Sequence, residues 1–328
     1  LNGFFTFFKN TFSEIYNMKI RNQTITTEFI LLGFSRNLNI NIFLFCVFSL
    51  IYLITVIANM FLIMAVVANA HLHVPMYFLL CNLSLLDLCY STNATPKLLV
   101  DLFAVRRTIS FSACAIQLHV NLFLGSTEYF LLAAMAYDRY VAICHPLHYP
   151  LLMSMNTCYL MAAFVWILSF SIAIVPSLIT PISVCFPNIV NHFMCEVLAV
   201  LKLACDDIHQ SELLIFSISF FSLLLPLACI LLSYAFIIYS VLQIQSVERR
   251  KTFSTCVSHM TVVALCFGSA MVLYFGPSSN YSTNQYISII YGVVTPMLNP
   301  LIYSLRNNDV KAAGRKIYCA ISGKRSHF

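Results

Sequence analysis

Seven apolar stretches, each long enough to cross a lipid bilayer, leave this chain few ways to fold. They run near 41–68, 76–100, 114–143, 157–180, 212–242, 253–276 and 285–305. A hydrocarbon core of about 30 Å takes roughly 20 residues of helix. In lipid, backbone N–H and C=O groups must be satisfied internally, which a helix does within one segment. The expected fold is an all-α membrane protein, a seven-transmembrane helix bundle over residues 41–305. An odd number of spans places the termini on opposite sides and argues against the paired inverted repeats of many transporters. A soluble alternative fails on composition. The chain is 60% hydrophobic and 9% charged, against roughly one-quarter charged residues in a soluble domain, and a core so apolar would leave large sticky patches exposed.

The net charge of +6 does not point to nucleic acid. Arg249, Arg250 and Lys251 and the Lys311 to Arg325 tail are short clusters beside apolar runs, as expected of anchors facing anionic membrane lipid. No Gly-rich phosphate loop, His-Glu-x-x-His pair or Gly-x-Ser-x-Gly elbow occurs, so no enzyme is expected. Met18 is read as the native start, with 1–17 outside the native protein, and residues 1–40 as an extracellular segment carrying the glycosylation sequon Asn22-Gln-Thr24. A second sequon at Asn82 lies inside an apolar run and is discounted. Basic residues favour an inner C-terminus only moderately, since Arg36, Lys97, Arg106, Arg107 and Lys202 would lie outside. The cysteines weigh more. Cys114, Cys185, Cys195 and Cys205 cluster at predicted loops on the face of Asn22, and disulfides persist on the oxidising, outer side. Four cysteines allow three pairings. His192, among them, has no second metal ligand at fixed spacing. The other cysteines lie mostly in spans, where a thiol is a small apolar group.

The third stretch ends in Met135-Ala-Tyr-Asp-Arg-Tyr-Val-Ala-Ile-Cys-His-Pro-Leu-His-Tyr-Pro150. Asp138 and Arg139 sit where the apolar run gives way, so their charges fall at a membrane surface, and Pro146 and Pro150 stop the helix. An Asp-Arg-Tyr triplet alone usually marks a solvated helix end. The full run resembles the end of the third transmembrane helix of the odorant receptors, a branch of the rhodopsin-like G-protein-coupled receptors. Pro75-Met-Tyr-Phe-Leu-Leu-Cys-Asn-Leu-Ser-Leu-Leu-Asp87 is similar to their second helix. Lys251-Thr-Phe-Ser-Thr-Cys-Val-Ser-His259 is similar to the inner end of the sixth, and Pro296-Met-Leu-Asn-Pro-Leu-Ile-Tyr-Ser-Leu-Arg-Asn307 to the seventh. The resemblance covers about 22–316. Departures are Ala58, Thr252, a missing glycine after Glu248, and Cys266-Phe267-Gly268, which lacks a usual tyrosine hydroxyl.

The resemblance implies a receptor of the plasma membrane, multi-pass, with its N-terminus outside and C-terminus inside, that binds a small-molecule odorant and activates a stimulatory heterotrimeric G protein to raise cyclic AMP. It pairs Cys114 with Cys195 and Cys185 with Cys205. It assigns activation to Asp138, Arg139, Tyr140, Tyr234, Asn299, Pro300 and Tyr303, with Asp138 holding Arg139 at rest and Tyr303 and Tyr234 rearranging around it. Pro300 should kink the seventh helix, and Asn299 can satisfy part of the backbone it frees. The weighed alternatives are a same-fold receptor for a non-odour small molecule and a transporter or channel, which should carry polar groups along a continuous path.

Asp87 and Glu128 lie well inside apolar segments, where an unpaired charge costs at least about 2.5 kcal/mol, so both should face the bundle interior. One reading is a protonated acid hydrogen-bonded to Asn59 or Asn299, the other a small cation on oxygen ligands. Resemblance to receptors with an interior sodium site favours the second, and no other cofactor is expected. The ligand site is expected between the outer halves of the third, fifth and sixth helices. Asn121, Leu122, Gly125 and Ser126 fall roughly 10 to 18 Å below Cys114 at 1.5 Å per residue, with Gly125 leaving room for a ligand. Ile218, Ser219 and Ser222 and then Ala270, Leu273 and Tyr274 lie at comparable depth, an apolar pocket with few polar anchors. The alternative is that these residues only pack helices. Beyond Arg306, Val310, Ala313, Ile317 and Tyr318 recur opposite Lys311, Arg315 and Lys316, which predicts a short C-terminal amphipathic helix on the inner surface within a 306–328 tail. Cys319 is either a palmitoylation site or a free thiol.

Overall fold

The computed structural model describes residues 28–179, 188–204, 209–243, 246–275, 281–306 and 308–321. Asn22, Cys185 and Cys205 lie outside the described residues, and so do the side chains of Arg249, Arg250, Lys251, Ile317, Tyr318 and Cys319. The seven expected spans appear as α1 Leu38–Ala68, α2 Pro75–Asp101, α3 Phe111–Cys144, α4 Met155–Ile179, α5 His209–Leu242, α6 Ser246–Phe275 and α7, which joins Tyr281–Ile289, a π-helical stretch Ile290–Val294 and Thr295–Arg306. An eighth helix, α8, covers Asn308–Ile321. The result is a seven-helix transmembrane bundle.

Local chemistry sets several helix starts. The Asn37 side chain accepts from the Asn39 N–H ahead of α1, Pro75 opens α2, and Ser110 caps α3 through the Ala113 N–H. Each satisfies or dispenses with donors that a first turn leaves free. By length and composition five helices, α1, α4, α5, α6 and α7, are apolar enough to cross a membrane. α2 and α3 are as long, but α2 carries Asp87, Lys97 and Asp101, and α3 carries Glu128, Asp138 and Arg139. Those two are the interior helices. α3 packs against α2, α4, α5 and α6, so much of its surface meets protein instead of lipid.

Outward faces show the reverse chemistry. Leu50, Leu53 and Ile57 of α1, Phe164 and Ile167 of α4, and Phe221, Leu232 and Tyr239 of α5 are exposed. On a soluble protein such a belt would aggregate; here it is the surface that meets lipid tails. The buried core runs through the bundle from Leu62 and Leu83 to Leu131, Leu132, Ile230 and Val262.

α7 carries Pro300 within its helix, and that residue has no N–H for the carbonyl four residues earlier. The sequence reading gave Asn299 the task of compensating. Instead Asn59 of α1 donates its side-chain amide to the Pro296 carbonyl at 3.0 Å, and Asn299 donates to Asp87 at 3.0 Å. α8 buries Val310 and Ala313 while Lys311 and Arg315 stay exposed, the expected amphipathic split.

One element was not expected. Glu28–Leu31 forms a strand, β1, between β2 (Thr108–Ser110) and β3 (Ile189–Val190), antiparallel to the first and parallel to the second. Its buried residues are Phe29 and Leu31. Gly33, at φ 64°, turns the chain out of the strand. There the Arg107 guanidinium donates to the carbonyls of Leu32 and Ser35. The backbone angle favours glycine here, and a Cβ at Gly33, 2.5 Å from Arg107 Nη1, would also push the guanidinium from its place.

Candidate functional site

Beneath this small sheet lies a cavity of about 130 Å³. All ten residues selected by helical depth line it: Asn121, Leu122, Gly125 and Ser126 of α3, Ile218, Ser219 and Ser222 of α5, and Ala270, Leu273 and Tyr274 of α6. α4 adds Ala173 and Pro176, α2 adds Tyr90, and α7 adds Ser288 and Tyr291. The roof is made by Phe29 of β1, stacked on Phe111 at 5.7 Å, and by the loop residues Met194, Glu196, Val197 and Val200.

A disulfide holds that loop down. Cys114 is bonded to Cys195, and the Cys195 N–H donates to Gln117 Oε1 at 2.9 Å. Glu196 was not among the sequence-selected residues, yet its adjacency to Cys195 carries it over the cavity. Its Oε2 accepts from the Ala199 N–H at 3.1 Å, while the buried Oε1 has no partner. Burial pushes its carboxyl above the usual carboxylate range, against the opposing pull of the Leu198 and Ala199 N–H groups and Lys202. His192 lies in the same loop, stacked on Phe193 with ring centroids 4.5 Å apart. Its Nδ1 accepts from the Met194 N–H and its Nε2 meets Ser288 Oγ at 3.2 Å. Burial lowers its pKa to about 4, so it is neutral at pH 7.

Gly125 does not face open space. A Cβ built there would lie 3.0 Å from the Tyr291 hydroxyl oxygen, so α7 approaches α3 closely because this residue has no side chain. Tyr291 packs edge-on against Tyr90 at 5.3 Å and stacks on Tyr129 at 6.5 Å. These rings form an aromatic floor. Phe267 packs on Tyr129 at 5.1 Å and does not line the cavity.

Below the floor sit the two interior acids, 1% and 3% exposed. Asp87 accepts the Asn299 amide through Oδ1. Asp87 Oδ2, Glu128 Oε1, Asn59 Oδ1 and Asn299 Oδ1 are all buried without a partner. A proton on the acids or a small hard cation satisfies acceptors of this kind. Among the described residues no group of three or more His, Cys, Asp or Glu side chains is arranged as a metal site.

At the C-terminal end of α3 Asp138 and Arg139 form no ion pair within 4.0 Å, although the Arg139 charge acts on Asp138. Asp138 Oδ1 accepts the Tyr149 hydroxyl at 2.8 Å, and among the described residues the ion pair is Lys97–Asp101. Successive residues on a helix point about 100° apart and do not face each other, whereas Tyr149 returns from the turn after Pro146. Tyr140 meets His145 Nε2 at 3.0 Å. Tyr234 lies against His259, with Oη 3.0 Å from Nδ1, and His259 Nε2 is 3.2 Å from the Leu132 carbonyl. A carbonyl can only accept, so Nε2 carries the proton and Tyr234 donates to Nδ1. Tyr303 is buried with its hydroxyl unpartnered.

Comparison with known proteins agrees with this architecture. Residues 48–321 match the family described as "Olfactory receptor". The chain is 45% identical over 304 residues to olfactory receptor 2B6 of Mus musculus, covering 92% of this chain and 97% of that one. It is 46% identical over 299 residues to olfactory receptor 8U3 of Mus musculus, with 90% and 94% covered. With olfactory receptor 13F1 of Homo sapiens it shares 44% identity over 311 residues, 94% and 96% of the two chains.

Proposed function

The chain belongs to the olfactory receptor family, and on that premise we propose that it is an odorant receptor whose ligand occupies the cavity above Tyr291. The observation that carries the reading is a small chamber lined mostly by apolar groups, walled by α3, α4, α5, α6 and α7 and roofed by a disulfide-anchored loop. An apolar cavity of about 150 Å³ takes up benzene, so a volume of about 130 Å³ suits a small volatile molecule. Few polar groups would fix its orientation.

In this reading the bound ligand shifts α6 and α7 relative to α3, because all three line the cavity. Arg139 then engages a stimulatory heterotrimeric G protein, and cyclic AMP rises. A guanidinium keeps its charge and offers forked donors, which suits it to that contact. Residues 1–40 face outside and 306–328 face the cytoplasm, with α8 on the inner leaflet of the plasma membrane. Asp87 and Glu128 would hold a sodium ion, which would supply the positive charge that their unpartnered oxygens call for. The experiment is a screen of volatile compounds on cells displaying the chain, read as cyclic AMP. Ligand-dependent nucleotide exchange supports the receptor; flux of solute without a G protein would support a transporter instead.

A further inference from the structure

The cavity contains one amide whose orientation is dictated from outside it. Asn121 lines the cavity; Asn93 of α2 does not. Asn93 Nδ2 lies 3.2 Å from the backbone carbonyl of Gln117. A carbonyl can only accept, so the Asn93 atom facing α3 must be its NH₂ group. That same nitrogen lies 2.7 Å from the Asn121 side chain, and the Asn121 atom receiving it must therefore be Oδ1. The Asn121 NH₂ group is thereby turned away from Asn93.

What it meets there is the sulfur of Met194 at 3.8 Å, a weak acceptor that an oxygen readily displaces. The arrangement is braced from the loop as well. Gln117 Nε2 donates to the Asn93 carbonyl at 3.0 Å, and Gln117 Oε1 receives the Cys195 N–H. Nearby hydroxyls present the opposite polarity. Ser126 donates its proton to the Leu122 or Phe123 carbonyl and Ser222 to that of Ser219, so each offers the cavity lone pairs only.

We propose that Asn93 is a positioning residue that holds the Asn121 N–H group toward the cavity, and that the ligand therefore carries a neutral hydrogen-bond acceptor there, a carbonyl or ether oxygen. No lysine, arginine or histidine lines the cavity, which disfavours a carboxylate. Glu196, with its unpartnered oxygen, is the rival anchor, and it would favour an ammonium ligand. This inference rests on the reading of the cavity as the odorant site.

The test uses a panel of ketones, aldehydes and ethers of roughly six to ten heavy atoms, a size that follows from the cavity comparison. Each is paired with its hydrocarbon counterpart and with an ammonium counterpart, as acetophenone with α-methylstyrene and 1-phenylethylammonium. Cyclic AMP dose–response curves are taken at matched surface levels. In the wild type the acceptor member should be about fivefold more potent than the hydrocarbon, which is what one neutral hydrogen bond supplies. Asn93→Leu should bring that ratio to about one although residue 93 never touches ligand. Asn93→Asp presents a carboxylate that accepts from the amide and turns it round, and should move preference toward hydroxyl donors such as phenols. Asn121→Leu reads the same ratio if Asn93→Leu fails to reach the surface. Equal potency of hydrocarbons in the wild type, preference for the ammonium compounds, or a ratio unmoved by the Asn93 variants overturns the inference alone. If no member of the panel acts, the odorant-site reading fails and takes this inference with it.

Discussion

At the scale of single residues, Gly125 and Arg139 carry the sharpest expectations. A side chain at 125 collides with the Tyr291 hydroxyl before it reaches the ligand space, so Gly125→Leu should abolish the response to an active volatile at normal surface levels. Retained potency would place the ligand elsewhere. Arg139→Ala should reach the surface and bind ligand yet fail to raise cyclic AMP; unchanged efficacy would show that coupling runs through other groups. Depth along a helix was readable in the sequence because 1.5 Å per residue is a reliable ruler, and it selected cavity-lining residues on three helices. Facing was less readable. Asp138 and Arg139 are adjacent yet form no ion pair within 4.0 Å, and the Tyr149 hydroxyl that occupies Asp138 comes from the turn after Pro146. Phe29 and Asn93 gave no signal, since one enters through strand pairing and the other acts through Asn121.

At the scale of elements, the proline-bearing turn of α7 and the roof loop each depend on a distant partner. Asn59 satisfies the carbonyl that Pro300 leaves free. Asn59→Leu should lower stability by about 1–3 kcal/mol, the cost of a buried unpaired acceptor, read as the unfolding temperature of the purified receptor; an unchanged midpoint would mean that another group takes over. The roof loop should respond to pH. His192 is neutral when docked, with its pKa lowered to about 4, against about 6.5 in the undocked chain. Its contribution is complete above about pH 6.5 and is lost as pH falls from there toward 4, by up to about 3 kcal/mol. Glu196 has the opposite sign: its raised pKa contributes most at low pH and less as pH rises through it. Wild-type thermal stability should therefore fall between pH 6.5 and 4.5, and His192→Gln should flatten or reverse that slope. An identical slope in the variant would remove His192 from the account.

At the scale of the whole molecule, the seven spans were legible because lipid imposes a length and forbids unsatisfied backbone, whereas the polar starts of α6 at Ser246 and α7 at Tyr281 lie ahead of the apolar runs that began at 253 and 285. The β-sheet was not legible, since a four-residue strand next to a polar terminus has no periodicity to detect. It is set by tertiary pairing, with the disulfide nearby. Cys114→Ser should release the loop that carries Glu196 and Met194 and abolish surface display or signalling. A mutant with normal display and unaltered potency would mean that the hydrogen bonds of β1 and Gln117 hold the roof unaided.

The central position of β1 also orders the molecule in time. β2 and β3 do not pair with each other; each pairs only with β1, and the Asn188 side chain that bonds the Glu28 carbonyl stands 160 residues along the chain from it. A ribosome makes β1 before α1, yet its second neighbour emerges only after α4. β1 meets β2 once α2 has been made, but its other edge stays unpaired until β3 follows α4, so the lid over the chamber is complete before α5, α6 and α7 have been made.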